Sequence, residues 1–165
     1  MLAGIATTFG VVAASPTTLG QTQAPMPEPP STPANQGRTF LHQEVAFKAS
    51  AQRLFDLLLD SGLFAAFTGM PAEIDRKPGG IFKTFGGLIE GRNVEIVANQ
   101  RIVQAWRPAS WDPGVYSIAR FELKPLGAET VIVLDHTGFP EGKYDSLNSG
   151  WPQRYWEPLR KYLAA

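Results

Sequence analysis

The chain has 165 residues, 44% hydrophobic and 11% aromatic, which is enough apolar material for one packed domain and argues against disorder throughout. Its 15 basic and 15 acidic side chains cancel, so it lacks the global positive field that would attract nucleic acid or an anionic membrane surface. Without cysteine it has no disulfide framework, no thiolate nucleophile and no cysteine-based zinc or iron–sulfur site.

Residues 1–37 hold a single charged side chain, Glu28, and the other 128 residues hold the remaining 29, so composition changes abruptly at Arg38. Met1 to Ala14 is an uncharged apolar run ending in Val12-Ala13-Ala14, the small residues that a signal-peptide cleavage site prefers. It reads as an export signal, which would make the protein periplasmic or secreted. Uncleaved, the protein is expected in the cytoplasm. Against export, no Lys or Arg precedes the apolar stretch, and the competing reading is a disordered tail or a mis-called start. The run of 14 residues falls short of the roughly 20 that a transmembrane helix requires, and no later run is longer, so no membrane span is expected. Residues 15–37 carry Pro16, Pro25, Pro27, Pro29, Pro30 and Pro33 among Ser, Thr, Gln and Gly, the composition of an extended linker. The domain is expected over residues 38–165.

Thr39 to Phe47 has the β-branched and aromatic content of a strand, and Ser50 then supplies a side-chain oxygen to cap a helix. In residues 51–60, Leu54, Phe55, Leu58 and Leu59 recur at helical spacing, and a stop at Ser61-Gly62 precedes a second short helix through Phe64 and Phe67. Beyond Gly69, turns at 77–80, 86–87, 98–100, 113–114 and 126–128 separate strands at about 72–76, 81–85, 88–97, 101–107, 115–125 and 129–137. Val115, Ser117, Ala119, Phe121 and Leu123 share one face while Arg120, Glu122 and Lys124 share the other, so the sheet buries one side. The cover is a long C-terminal helix in which Leu147, Trp151, Tyr155, Leu159 and Tyr162 recur every three or four residues. Pro158 leaves the Arg154 carbonyl without its usual partner, so a kink or interruption is expected near Pro152 and Pro158.

The order strand, two short helices, six strands, long helix defines an α+β helix-grip fold, a curved antiparallel sheet of about seven strands around a long C-terminal helix. Local sequence narrows this further. Lys77-Pro-Gly-Gly-Ile-Phe-Lys, Phe85-Gly-Gly-Leu-Ile-Glu-Gly-Arg-Asn-Val-Glu and Arg101-Ile-Val-Gln-Ala-Trp-Arg occur in order, followed by Ser110-Trp-Asp, Thr130-Val-Ile-Val-Leu-Asp-His-Thr-Gly-Phe-Pro and Gly150-Trp-Pro-Gln-Arg-Tyr-Trp-Glu-Pro-Leu. Over residues 40–163 the chain resembles the activator of heat-shock protein 90 ATPase homologue-like branch of the START/SRPBCC superfamily. It departs from that pattern at Ser146, where many relatives have a histidine.

A curved sheet spanned by one helix leaves room for an apolar ligand cavity, typically ~300 to 1,000 Å³. The expected walls are Phe64 and Phe67 from the second helix, Phe82, Phe85, Trp106 and Phe121 from the strands, and Trp151 and Tyr155 from the last helix. Gln104, Tyr116 and Ser117 would orient a polar group. The competing reading is that these rings simply fill the core. Asp135 and His136, being consecutive on a strand, point to opposite faces and cannot act as a pair. His42 and Glu44 share a face, but two ligands without a third make a poor metal site, so no metal and no cofactor are expected. Trp111, beside Ser110 and Asp112, is read as capping the cavity mouth or as plain packing, with partner anchoring beside Arg107 as the alternative.

Three functions follow in order of preference. The first, which the resemblance implies, is non-enzymatic carriage or sensing of a small apolar molecule. The second is a co-chaperone that meets a protein partner, heat-shock protein 90, through the sheet surface; export and the lack of a companion domain would weigh against it. The third is a cyclase- or hydrolase-type enzyme, disfavoured by the scarcity of paired acids and bases.

Overall fold

The computed structural model describes residue 35 and residues 37–165; the expected export signal (1–14) and almost all of the linker (15–37) lie outside the described residues. The elements run β1 (Phe40–Phe47), α1 (Ala51–Leu59), α2 (Ser61–Thr68), β2 (Glu73–Ile74), β3 (Ile81–Thr84), β4 (Ile89–Val97), β5 (Arg101–Pro108), β6 (Ser117–Leu126), β7 (Glu129–Thr137), α3 (Tyr144–Trp151) and α4 (Glu157–Leu163). All seven strands form one antiparallel sheet in the order β1-β7-β6-β5-β4-β3-β2, so each sequential pair from β2 to β7 is joined locally and β1 closes on β7.

Side-chain chemistry at the helix ends accounts for the two short helices. Ser50 accepts from the Arg53 N–H at the start of α1, as expected from sequence. The break before α2 differs from expectation, because Asp60 rather than Ser61-Gly62 makes it: its carboxylate accepts from the Leu63 N–H at 2.9 Å and begins α2 one residue later. Gly69, in the left-handed region at φ 71°, ends α2. Strand β3 is also shorter than the expected 81–85. Phe85 turns to φ 54°, followed by two left-handed glycines, and its ring lies 5.2 Å from each of the Phe64 and Tyr155 rings. A left-handed non-glycine residue costs about 1–3 kcal/mol, which burial of this ring offsets.

The buried face of the sheet reads across the strands. One row runs Phe82, Gly91, Trp106 through β3, β4 and β5. A Cβ at Gly91 would overlap the Ala105 carbonyl and the Phe82 ring, so only glycine fits between the two aromatics. The next row carries Asn93, Gln104, Ala119 and His136, all buried. The strand expected over 88–97 forms as β4, with a β-bulge between Asn93 and Glu95 that shifts its register against β5. Asn93 there donates to the Asp75 carbonyl at 2.9 Å and accepts from Gln104 at 3.0 Å, tying the small β2 edge to the centre.

The C-terminal element is helical from Tyr144 to Leu163 but changes pitch between its prolines. Over Pro152–Trp156 it is a π-turn, closed by Glu157 N–H donating to the Pro152 carbonyl five residues back. The wider turn lets consecutive Tyr155 and Trp156 both face inward, and it brings Trp151 and Trp156 into a stack 5.8 Å apart at 19°. Pro152 has no N–H for the Asn148 carbonyl. Gln43 on β1 supplies one instead, donating to Asn148 O at 2.9 Å while accepting from the Trp156 indole at 2.7 Å. Gln43→Leu therefore leaves two polar groups without a protein partner and is expected to cost about 1–3 kcal/mol, read as a lower urea midpoint at unchanged slope.

Candidate functional site

Open space lies at the ends of the interface between sheet and helix, and the middle of that interface is filled. Phe64 packs within 6 Å of Phe67, Phe85 and Tyr155, and Trp151 within 6 Å of Trp106, Phe121 and Tyr155. What remains inside is a void of about 10 Å³ bounded by Phe64, Phe82, Thr84, Gln104, Phe121 and Tyr155. This is the size of a single water.

A larger cleft, about 310 Å³ and open to solvent, runs beside α3. Trp106, Ile89 and Leu88 form its sheet side, Trp111 and Pro108 its loop side, and one face of the C-terminal helical segment, from Lys143 before α3 to Arg154 in the π-turn, its helix side. Tyr155 lines both spaces and is the wall between them. Its phenol is pushed up to about 12 by burial, against the opposing influence of the Trp106 indole, the Thr84 hydroxyl and the Arg154 charge. The phenol thus lies close enough to feel both neighbours, yet the Trp106 N–H and the Thr84 hydroxyl are buried without a well-formed hydrogen bond.

Of the eleven residues expected from sequence to line a cavity, Trp106, Trp151 and Tyr155 line the cleft. Phe64, Phe82, Gln104 and Phe121 surround only the small void, and Phe67 and Phe85 belong to the packed ring cluster. Tyr116 is displaced from its expected role. It is exposed on the outer side, with the Arg107 guanidinium 5.8 Å from its ring centre, because Ser117 next to it faces inward. Trp111 is buried at the cleft edge, its ring 6.0 Å from Trp106 and at 76° to it. Arg107 donates to the Trp111 carbonyl at 2.6 Å and pairs with Glu90, so the arginine holds the loop that carries the indole.

Two groups were invisible in sequence. The first is a hydrogen-bond chain beneath the cleft. The Trp151 indole donates to His136 Nδ1 at 3.1 Å, so the neutral imidazole carries its proton on Nε2 and donates it to Ser117 Oγ at 2.7 Å. Ser117 in turn donates to the Trp106 carbonyl at 2.9 Å. The Ser117–His136 contact has the wrong polarity for nucleophile activation, since the imidazole gives a proton to the serine and has no free lone pair to take one. It fixes the Trp151 indole and the Trp106 backbone instead. The second group is on the outer face, where Asp135 pairs across β1 and β7 with His42 at 2.6 Å, and Glu44 lies 3.3 Å from the other ring nitrogen. The Asp135 hydrogen bond, helped by Glu44, raises the His42 pKa above 6.5. Among the described residues no cluster has the make-up of a metal site.

This arrangement is that of a helix-grip domain with a side cleft, and comparison with known proteins places it further. The family model described as "Activator of Hsp90 ATPase homolog 1-like protein" matches residues 48–164, and the chain belongs to that family. It is 28% identical over 123 residues to the mouse "Activator of 90 kDa heat shock protein ATPase homolog 2", covering 74% of this chain and 37% of that one. With the human homolog 1 it shares 26% identity over 115 residues, covering 70% and 34%. The chain thus spans about a third of the length of these curated relatives. Among solved structures, an HSP90 activator from Plasmodium falciparum superposes with a TM-score of 0.73 at 24% identity, over 77% of this chain and 97% of that one. The Aha1 dimer from Colwellia psychrerythraea gives 0.65 at 16% identity, over 76% and 96%. At these identities the structural likeness speaks for the fold.

Burial holds the His136 pKa down at about 3. The unfolded chain takes up this proton near pH 6.5 and the folded chain does not, so its contribution to stability is complete above 6.5 and lost as pH falls towards 3. The loss is expected to reach roughly 3–5 kcal/mol. Exposed His42 acts in the opposite direction, and more weakly because solvent screens it. Urea titrations at stepped pH should show a steep acid limb that His136→Asn flattens.

Proposed function

We propose that the domain binds a small, largely apolar molecule in the cleft beside α3, acting as a carrier or sensor rather than as an enzyme. The observation that carries this reading is a solvent-open space of about 310 Å³ walled by three indoles, at the lower end of the usual size for small-molecule sites. Gly150 supports it. The residue sits inside α3, where glycine is about 1 kcal/mol worse than alanine, and a Cβ there would meet nothing within 4 Å. Packing does not require the glycine, and its bareness keeps the helix side of the cleft open.

Native mass spectrometry of freshly purified protein should show co-purified mass, and an environment-sensitive apolar dye should bind the stripped protein and be displaced when the extracted material is added back. Gly150→Ala is expected to stabilise the fold by about 0.5–1 kcal/mol. Gly150→Leu, reaching into the space, should reduce dye affinity at least tenfold while leaving the fold intact by circular dichroism. Absence of both co-purified mass and dye binding would remove the reading.

A second reading has its own observation. Relatives bear the name of activators of the heat-shock protein 90 ATPase, and the outer face of this sheet carries an apolar row. Phe40, Thr137, Ile118, Ala105, Arg92 and Ile81 are successive cross-strand neighbours, with Phe40, Ile118 and Ile81 well exposed. If this face meets the chaperone, the full chain stimulates its ATP hydrolysis and the double variant Phe40→Ser/Ile118→Ser does so several-fold less. A native N-terminus beginning near Ser15 would instead favour the carrier.

A further inference from the structure

The charge pattern of the cleft selects among apolar ligands, an inference that rests on the carrier reading. Lys143, Ser146, Leu147, Gly150, Trp151 and Arg154 fall on one face of the helix, so the cleft follows the helix axis with a cation at each end. Eleven residues of rise separate the two cations by about 16 Å. No carboxylate lines the space.

Among the described residues, neither Lys143 nor Arg154 takes part in an ion pair, whereas Arg76, Arg101, Arg107 and Arg120 all do. Arg107, close by in sequence to the loop side, is committed to Glu90 and to the Trp111 carbonyl. The positive charge facing the cleft is therefore unspent. Between its ends the walls are flat: Trp106 and Trp151 lie 5.5 Å apart at 33°, and Trp111 stands edge-on to Trp106.

We infer that the cleft takes a flat aromatic or polycyclic molecule bearing one carboxylate or similar anionic group, its ring system over Gly150 against the indole-lined wall and its anion on Arg154. The guanidinium is the better of the two cations for this because its planar fork matches a carboxylate in two places, while Lys143 adds attractive field from the far end.

Three probes of one shape test it on the full chain: 2-naphthoate, 2-naphthamide and 2-naphthylmethylammonium, titrated by tryptophan fluorescence and calorimetry. The naphthoate is expected to bind about tenfold tighter than the amide at low salt, with the advantage shrinking at about 1 M salt. Arg154→Gln should remove most of that advantage and leave the amide unchanged, and Lys143→Gln should remove a smaller part. Circular dichroism confirms that each variant folds. Equal binding of all three probes, preference for the ammonium, or a naphthoate advantage indifferent to both substitutions overturns the charge inference while the cleft reading stands, provided Gly150→Leu still weakens binding. Failure of every probe to bind overturns this inference together with the reading beneath it.

Discussion

His136 has no exposed surface, and each of its ring nitrogens meets a different structural element. Because the Trp151 N–H claims Nδ1, the proton must reside on Nε2, and from that point the direction of every later bond is determined. The long helix, β7, β6 and β5 are thereby joined through one neutral imidazole. Protonation would place two N–H donors face to face at Trp151, and the low local dielectric would make that costly. The cleft depends on the same imidazole, since the chain begins at one of its indoles and ends on the backbone of another.

Much of the architecture was readable because it rests on local rules. Alternation along β6, the cap at Ser50, helical spacing through Trp151, Tyr155 and Leu159, and the turn glycines all express themselves within a few residues. The features that escaped depend on distant partners or on departures from regular periods. Trp156 lies off the 3.6-residue pattern and becomes buried only because the helix widens at Pro152–Trp156. Asp135 meets His42 only through the β1–β7 register. The bulge after Asn93 cannot be distinguished by composition from a continuous strand.

The candidate site was legible in kind but not in position. Counting aromatic residues predicted a sheet and helix rich in rings, and such rings can either enclose a space or occupy it. Here they do both. Phe64, Phe67, Phe85 and Phe121 close the middle, and their edge-on contacts leave room for little more than a water. Three indoles and a bare glycine keep one end open. Which outcome prevails at a given place depends on side-chain direction and loop position, neither of which a one-dimensional pattern records.

The widened turn between the prolines also sets how this helix can change over evolutionary time. Its five-residue closure accommodates one residue more than an ordinary α-turn, and the burial of both Tyr155 and Trp156 relies on that surplus. Exchanging one ring for another there alters volume alone. Losing a single residue there would close the segment as an ordinary α-turn, keeping Leu159 on the sheet but leaving room for only one of the two rings to face inward. A one-residue difference in length at this turn is therefore absorbed locally, and chains that differ by it still present the same face of their final helical turns to the sheet.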